Sequence, residues 1–416
     1  MESKLIKVLL ALQYSFVCLH AFDMCDLAVI GKINFADGIG RQTIGIIDCL
    51  KDDLTIDFIN TQPQKIINFK DIPERVQPFL TKKTHTHAHV AILEDHLTNG
   101  KKNIFTMMPD STIKIAYTMF SASSIPQDWV NILNKYFDAA VVPDVYFVQA
   151  YEDAGVTIPI FVVPLGIYLE DFLQTPLKST SNTPFVFGCP AAFAERKNHE
   201  LLIESFAKEF GNNPNVKLII NSRDNLNNLH EKLVEKINKL NITNIELSKK
   251  ELSWKEYIDF MKSLDCCISI SKGEGFSIIP RESLALGIPA IVTNNTAQQT
   301  ICDSGYVYSV PSEITLPAYY PHLGYKEPIG NHFTSSEAEV RQALRQLYIN
   351  YSYYLQLANK GREWTKQYLY QRLKHKYLNL VKPQKIFLGQ QNKVTSTYLM
   401  TNSQKLYQKY KSIKEI

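Results

Sequence analysis

Short apolar runs alternate with amphipathic helical patterns along most of this chain, and the whole alternation occurs twice. An apolar run of about four to eight residues bounded by turn residues is the length of a buried strand. A 3.6-residue period between two such runs supplies the helix that covers them. In the first series the predicted strands are Leu27–Ile30, Leu54–Phe58, Val90–Ile92, Ile113–Thr118, Ala139–Val142 and Ile160–Val163, with a helix over Gln127–Tyr136. Thr175 to Thr183 is rich in Thr, Ser, Lys and Pro, lacks apolar periodicity and reads as a linker. In the second series the strands are Phe185–Gly188, Val216–Asn221, Ile245–Leu247, Cys266–Ser269 and Ala290–Thr293. Helices are predicted over Asn198–Phe210, Leu226–Leu240 and Trp254–Ser263. This rhythm predicts an α/β fold with doubly wound, parallel sheets. A length of 416 residues exceeds what one compact core usually serves, so each series is read as a domain of its own.

Two segments carry the chemistry. In Ser271-Lys272-Gly273-Glu274-Gly275-Phe276-Ser277-Ile278-Ile279-Pro280-Arg281-Glu282, a strand runs into two glycines flanking Glu274, and a helix follows. Ser277 is read as its cap, Pro280 fits its first turn and Gly287 ends it in a left-handed conformation. Ligands of doubly wound sheets sit beyond the carboxyl ends of the strands, where helix N-termini offer unpaired N–H groups to anions. Glu274 and Glu282 both face that crevice, as carboxylates suited to sugar hydroxyls. The rival reading makes Glu274 a solvated turn and Glu282 a dipole partner. In Phe187-Gly188-Cys189-Pro190 through Ala194-Glu195-Arg196-Lys197-Asn198, a second strand ends in glycine. Arg196 and Lys197 stand before a helix N-terminus, where cations are disfavoured unless an anion joins them.

Together these segments resemble the second domain of retaining glycosyltransferases of the GT-B fold, of the family 4 type (glycosyl transferases group 1). Further matches are Val142-Pro143-Asp144, the turn Pro164-Leu165-Gly166-Ile167 and Ala285-Leu286-Gly287-Ile288-Pro289. The resemblance implies two Rossmann-like domains facing across a cleft, residues 23–174 on the acceptor side and 184–360 on the nucleotide-sugar side. Helices in 361–382 are expected to cross back to the first domain, followed by a tail, 383–416. It implies transfer of a hexosyl group from a nucleotide-diphosphate sugar to a carbohydrate-type acceptor, with retention. Carried over by position, Arg196 and Lys197 hold the diphosphate and stabilise the leaving group, and Glu274 touches the transferred sugar. Glu282 takes the ribose, while Gly188, Gly275, Phe276 and Ser277 are donor contacts. A glycine-rich loop in the first domain, Gly38-Ile39-Gly40-Arg41 before a helix at Gln42–Leu50, gains Gly40 and Arg41 as donor contacts by the same route. No Asp-x-Asp motif occurs, so the expected chemistry uses no metal and no cofactor beyond the co-substrate. A catalytically inactive nucleotide-sugar or glycan-binding protein is the alternative. It rests on Ser121, which stands in Met119-Phe120-Ser121 where the family often carries Glu.

The rest of the chain excludes more than it assigns. The 45 basic and 41 acidic residues are too balanced for a nucleic-acid partner. Seven cysteines with irregular spacing suggest neither a disulfide framework nor a zinc motif. His85, His87 and His89 alternate in a pattern that places them on one strand face. With no ligand partner evident by spacing, they are read as edge or loop histidines before Val90, one of which could approach the sugar. The stretch from Pro311 to Thr334 is read as an irregular loop. Residues 1–21 fit either a secretory leader cleaved near Ala21 or an uncleaved extension. Donor supply in the cytosol favours the second, hence a cytoplasmic location. A peripheral membrane contact and the oligomeric state stay open.

Overall fold

The computed structural model describes residues 24–382 except 36, 64–68, 82–84, 86, 100–101 and 223–224. The expectations about residues 1–21 and the tail lie outside the described residues. The first half builds strands β1 (Met24–Gly31), β2 (Ile56–Asn60), β3 (His87–Glu94), β4 (Asp110–Tyr117), β5 (Ala139–Val142) and β6 (Ile160–Val162). Helix α1 (Gly38–Leu50) follows β1, and α2 (Gln127–Tyr136) precedes β5. The second half builds β7 (Phe185–Pro190), α3 (His199–Phe210), β8 (Val216–Asn221), α4 (Leu229–Leu240), β9 (Ile245–Ser248), α5 (Trp254–Ser263) and β10 (Cys266–Ser269). It continues with α6 (Ile278–Ala285), β11 (Ala290–Thr293) and β12 (Tyr308–Val310). A hairpin of β13 (Ile314–Pro317) and β14 (Asn331–Thr334) comes next, then helices α7 (Glu337–Ile349), α8 (Tyr351–Thr365) and α9 (Tyr370–Val381).

Both six-stranded sheets are parallel throughout. Their orders are β2-β1-β3-β4-β5-β6 and β9-β8-β7-β10-β11-β12. Strands β5, β10 and β11 are buried at every position, as expected when helices cover both faces of a sheet. In each sheet the chain reverses its direction of growth once, between β1 and β3 and between β7 and β10. Such switch points open crevices at the carboxyl ends of the strands. The two crevices face each other, and the site lies between them.

Three features depart from the sequence reading. The stretch Pro311–Thr334 is irregular only in part, because β13 and β14 pair antiparallel from Ile314↔Thr334 to Pro317↔Asn331, and the long connection between them stays a loop with one tight turn at Pro321–Leu323. Ile314-Thr315-Leu316 alternates over only three residues and Asn331–Thr334 does not, so it is the ladder between them that defines them. Gly38 and Gly40 are not in a loop either. Helix α1 begins at Gly38, since Oδ1 of Asp37 accepts from the N–H groups of Ile39 (2.8 Å) and Gly40 (3.2 Å) and caps the first turn. Third, β3 is a central strand between β1 and β4, and the histidines occupy its amino-terminal end. That end is remote from the cleft, so none of the three approaches a sugar there.

Helix α9 packs on α1, which ties the end of the described chain to the first half. The Tyr377 hydroxyl accepts from Gly166 N–H (2.9 Å) and Gln42 Nε2 (2.9 Å) and donates to the Pro164 carbonyl (2.9 Å). A Cβ on Gly45 or Gly166 would sit 1.9 or 2.2 Å from the Tyr370 ring. The Pro164-Leu165-Gly166 turn therefore serves as a seat for two tyrosines.

Candidate functional site

The charged centre is built by two loops of the second half. After β7 the chain turns through Glu195–Lys197, and Asn198 takes a left-handed conformation (φ 63°) before α3 begins. Asparagine tolerates that region better than most residues, and Nδ2 of Asn198 donates to Thr334 Oγ1 (2.9 Å), fixing the turn. After β10 the Gly273–Ser277 loop runs beside it. Its register is held by Lys272 N–H on the Arg196 carbonyl (2.7 Å) and by Glu274 N–H on Thr296 Oγ1 (2.9 Å). Beneath, Gln298 Nε2 reaches Ser269 Oγ (3.0 Å) and Ser277 Oγ (3.3 Å), so a polar network shapes the loop from below.

These loops bring Arg196, Lys197 and Glu274 together. Oε1 of Glu274 lies 2.9 Å from Arg196 Nη1 and 2.5 Å from Lys197 Nζ, and Arg196 Nη1 also donates to the Gly273 carbonyl (3.0 Å). Burial would raise the Glu274 carboxyl, but Arg196 and Lys197 overcome it and hold it at about 2. Burial lowers Lys197, against the raising effect of Glu274. Two cations thus share one carboxylate, and the surplus positive charge faces the cavity. Helix α6, whose N-terminus opens on the same loop, adds to the positive potential.

The glycines have a role the sequence reading did not contain. A Cβ on Gly273 would be 2.2 Å from the Ser121 carbonyl, and one on Gly275 2.7 Å from the Met119 side chain. The loop therefore lies directly against the strand-end segment of the opposite half. Phe276 is buried beneath the guanidinium of Arg281, 3.9 Å from its ring centroid. Ser277 occupies the N-cap position in a left-handed conformation (φ 63°), but its side chain makes no capping bond to the helix. Gly287 does end the helix at φ +71°, as its position suggested.

Two expected donor contacts lie off the cavity wall, and a third is on it but engaged. Gly188 lies inside β7 under Leu264, whose side chain is 2.3 Å from where a Cβ would be, and is not on the cavity wall. Gly40 gives its N–H to Asp37 and packs on the Asn34 backbone, 2.2 Å from a built Cβ. Arg41 does face the cavity, yet its Nη1 meets Oε1 of Glu282 at 2.5 Å across the cleft. The other Glu282 oxygen accepts from the Tyr257 hydroxyl (2.6 Å), and the Glu282 side chain is fully buried. Both of its oxygens are engaged, in a clasp joining the two halves.

The cavity holds about 470 Å³ and is lined by both halves. The first half contributes Lys32, Asp37, His96 and Ser121. Tyr320 and His322, carried by the hairpin's connection, also line it, with Tyr320 packed on Phe120 of the first half at 4.4 Å between ring centroids. Ser121 Oγ is 3.3 Å from the Tyr320 hydroxyl, which is 3.0 Å from His332 Nε2. Burial, helped by Arg196 and Lys272, lowers His332 to about 4, and burial also lowers His96 and His322. The site therefore presents neutral imidazoles at neutral pH. The sequence reading passed over His96, although it stands shortly past the end of a strand. Tyr320 and His322 were visible only as loop residues, because their placement depends on the hairpin.

Residues 175–312 match the family model described as glycosyl transferases group 1. This segment is thus similar to a group 1 glycosyl transferase domain. A relative in Methanocaldococcus jannaschii, described as the uncharacterized glycosyltransferase MJ1059, is 31% identical over 220 residues. The match covers 51% of this chain and 46% of that protein, so the chain spans about half the length of the curated relative it matches. Among solved structures, Anabaena Alr3699/HepE in complex with UDP-glucose has a TM-score of 0.63 at 10% identity, covering 86% of this chain and 100% of that one. Sucrose-phosphate synthase from Thermosynechococcus elongatus has a TM-score of 0.62 at 12% identity, covering 88% and 99%. The fold is GT-B, as the resemblance implied.

Proposed function

We propose that this chain is a retaining, metal-independent glycosyltransferase of the family 4 type that moves a hexosyl group from a nucleotide-diphosphate sugar to a carbohydrate-type acceptor. The observation that carries the reading is the cluster of Arg196 and Lys197 on Glu274, at the switch point of the second sheet and beside the N-terminus of α6. Departure of a nucleoside diphosphate builds negative charge, and preorganised cations and helix N–H groups stabilise it without reorganising. Arg196 offers a bidentate fork and Lys197 a point charge, so the diphosphate draws both toward itself. Glu274, ionised at neutral pH, is left to accept from hydroxyls of the transferred sugar. Glu282 reaches a ribose only if Arg41 and Tyr257 share it, which makes opening of that clasp part of donor entry. The acceptor enters from the first-half wall of His96 and Ser121. The UDP-glucose bound by Anabaena HepE supports a nucleotide sugar as the donor class. The same donor supply favours a cytoplasmic site of action.

A thermal-shift screen against UDP-, GDP- and ADP-sugars, followed by turnover of the donor that shifts most, tests the reading. A shift with turnover is expected. A shift without turnover would support the inactive binder. No shift with any nucleotide would overturn both.

A further inference from the structure

The first half gathers a second cluster of chemistry at the end of its sheet away from the cleft. Cys25 is the second residue of β1, Asp57 the second of β2, and His85 lies two residues before β3. These three strands are neighbours, with β1 in the middle. The Cys25 sulfur, one Asp57 oxygen and one His85 ring nitrogen all lie within 4.8 Å of one another. His85 Nδ1 is 3.1 Å from Asp57 Oδ1, and the His85 backbone N–H donates to Asp57 Oδ2 at 2.8 Å. Cys25 and Asp57 are 1% and 3% exposed, whereas the His85 side chain keeps 22% and leaves a path from solvent.

We propose that Cys25, Asp57 and His85 form a binding site for a zinc-class divalent metal ion, separate from the sugar-nucleotide cavity. Thiolate, carboxylate and imidazole are the three ligand types that zinc takes, at roughly 2.0–2.3 Å. A tetrahedron with such bonds spaces its ligand atoms by about 3.3–3.8 Å. The His85–Asp57 separation is already within a few tenths of that, and the widest separation needs about 1 Å of closure. Magnesium and calcium are disfavoured, because the set contains a soft sulfur and a single carboxylate. With three protein ligands, the fourth position of the tetrahedron is left for a water. Binding replaces the Cys25 thiol proton, which leaves to solvent. Since each ligand comes from a different strand, the ion would staple β2, β1 and β3 and stabilise the first half on folding.

The rival is a hydrogen-bonded Asp57–His85 pair beside an inert buried thiol. Cobalt(II) separates the two when titrated into the full-length protein after chelator treatment. The expected result is one equivalent bound, tetrahedral visible bands and a sulfur-to-cobalt charge-transfer band in the near ultraviolet. Cys25→Ser should remove the charge-transfer band. His85→Ala, which alters a partly exposed side chain, should weaken binding at least tenfold while circular dichroism stays unchanged. Zinc should raise the melting temperature of the wild type but not of Cys25→Ser. Absence of a cobalt spectrum at one equivalent, or a spectrum that survives both substitutions, overturns the proposal.

Discussion

The two walls of the cleft are built on different physical terms. On the second-half wall every ionisable group is tied down. Arg196 and Lys197 share Glu274, Arg41 reaches across to Glu282, and the Gln298 network holds the loop from beneath. Around Ser121 the polar groups are neutral or weakly held, as with its 3.3 Å approach to Tyr320 and the imidazoles of His96 and His322, while Lys32 and Asp37 elsewhere on the first-half wall form an ion pair at 2.9 Å. A wall of preorganised charge suits a ligand whose chemistry is always the same, the diphosphate of the donor. The patch of neutral hydroxyls and imidazoles around Ser121 suits a ligand that varies.

Substitution should expose this difference, beginning with its largest effect. Glu274→Ala removes the carboxylate that Arg196 and the largely buried Lys197 share, and should lower stability by about 1–3 kcal/mol as well as abolish turnover; chemical denaturation measures the first. Tyr377→Phe removes a hydroxyl that serves three partners outside the cleft. It should cost about 1–3 kcal/mol of stability and leave the donor dissociation constant unchanged. Ser121→Ala should change stability by less than about 0.5 kcal/mol and leave donor binding intact, with any effect confined to the acceptor KM. A donor affinity that falls on Ser121→Ala would erase the distinction between the walls.

Acid titration sharpens the same contrast. Burial, with Lys197 for one and Arg196 for the other, holds His199 and His332 at about 4, below the ordinary 6.5. The unfolded chain therefore takes up protons that the folded chain refuses, and stability should fall as pH drops from about 6.5 to 4. Glu274 behaves as a depressed carboxylate. Its contribution is full above about 4.5 and is lost as pH falls toward 2. Melting temperature against pH should show both declines in the wild type, and Glu274→Gln should lose the lower one.

The sequence revealed the second half better than the first. Strands Val216–Asn221, Cys266–Ser269 and Ala290–Thr293 were bounded correctly, the last two because fully buried parallel strands are near-continuous apolar runs. The cluster of Arg196, Lys197 and Glu274 was legible because each residue sits where a strand hands over to a helix. What escaped depends on tertiary contact. The β13–β14 hairpin needs its partner strand, and Gly40 and Gly188 looked like ligand glycines until Asn34 and Leu264 were seen against them. The Arg41–Glu282 clasp spans 241 positions, beyond any spacing argument. The same holds for Cys25, Asp57 and His85, which no motif joins.

The central claim is that the Arg196–Lys197 pair stabilises a departing nucleoside diphosphate. Steady-state release of that diphosphate, measured for wild type and Arg196→Ala with the donor that gives the largest thermal shift, tests it most directly. Loss of one preorganised charge partner should lower kcat by about 10²–10³, roughly 2.7–4 kcal/mol, in a variant that still folds. Wild-type turnover in a folded Arg196→Ala variant would contradict the account.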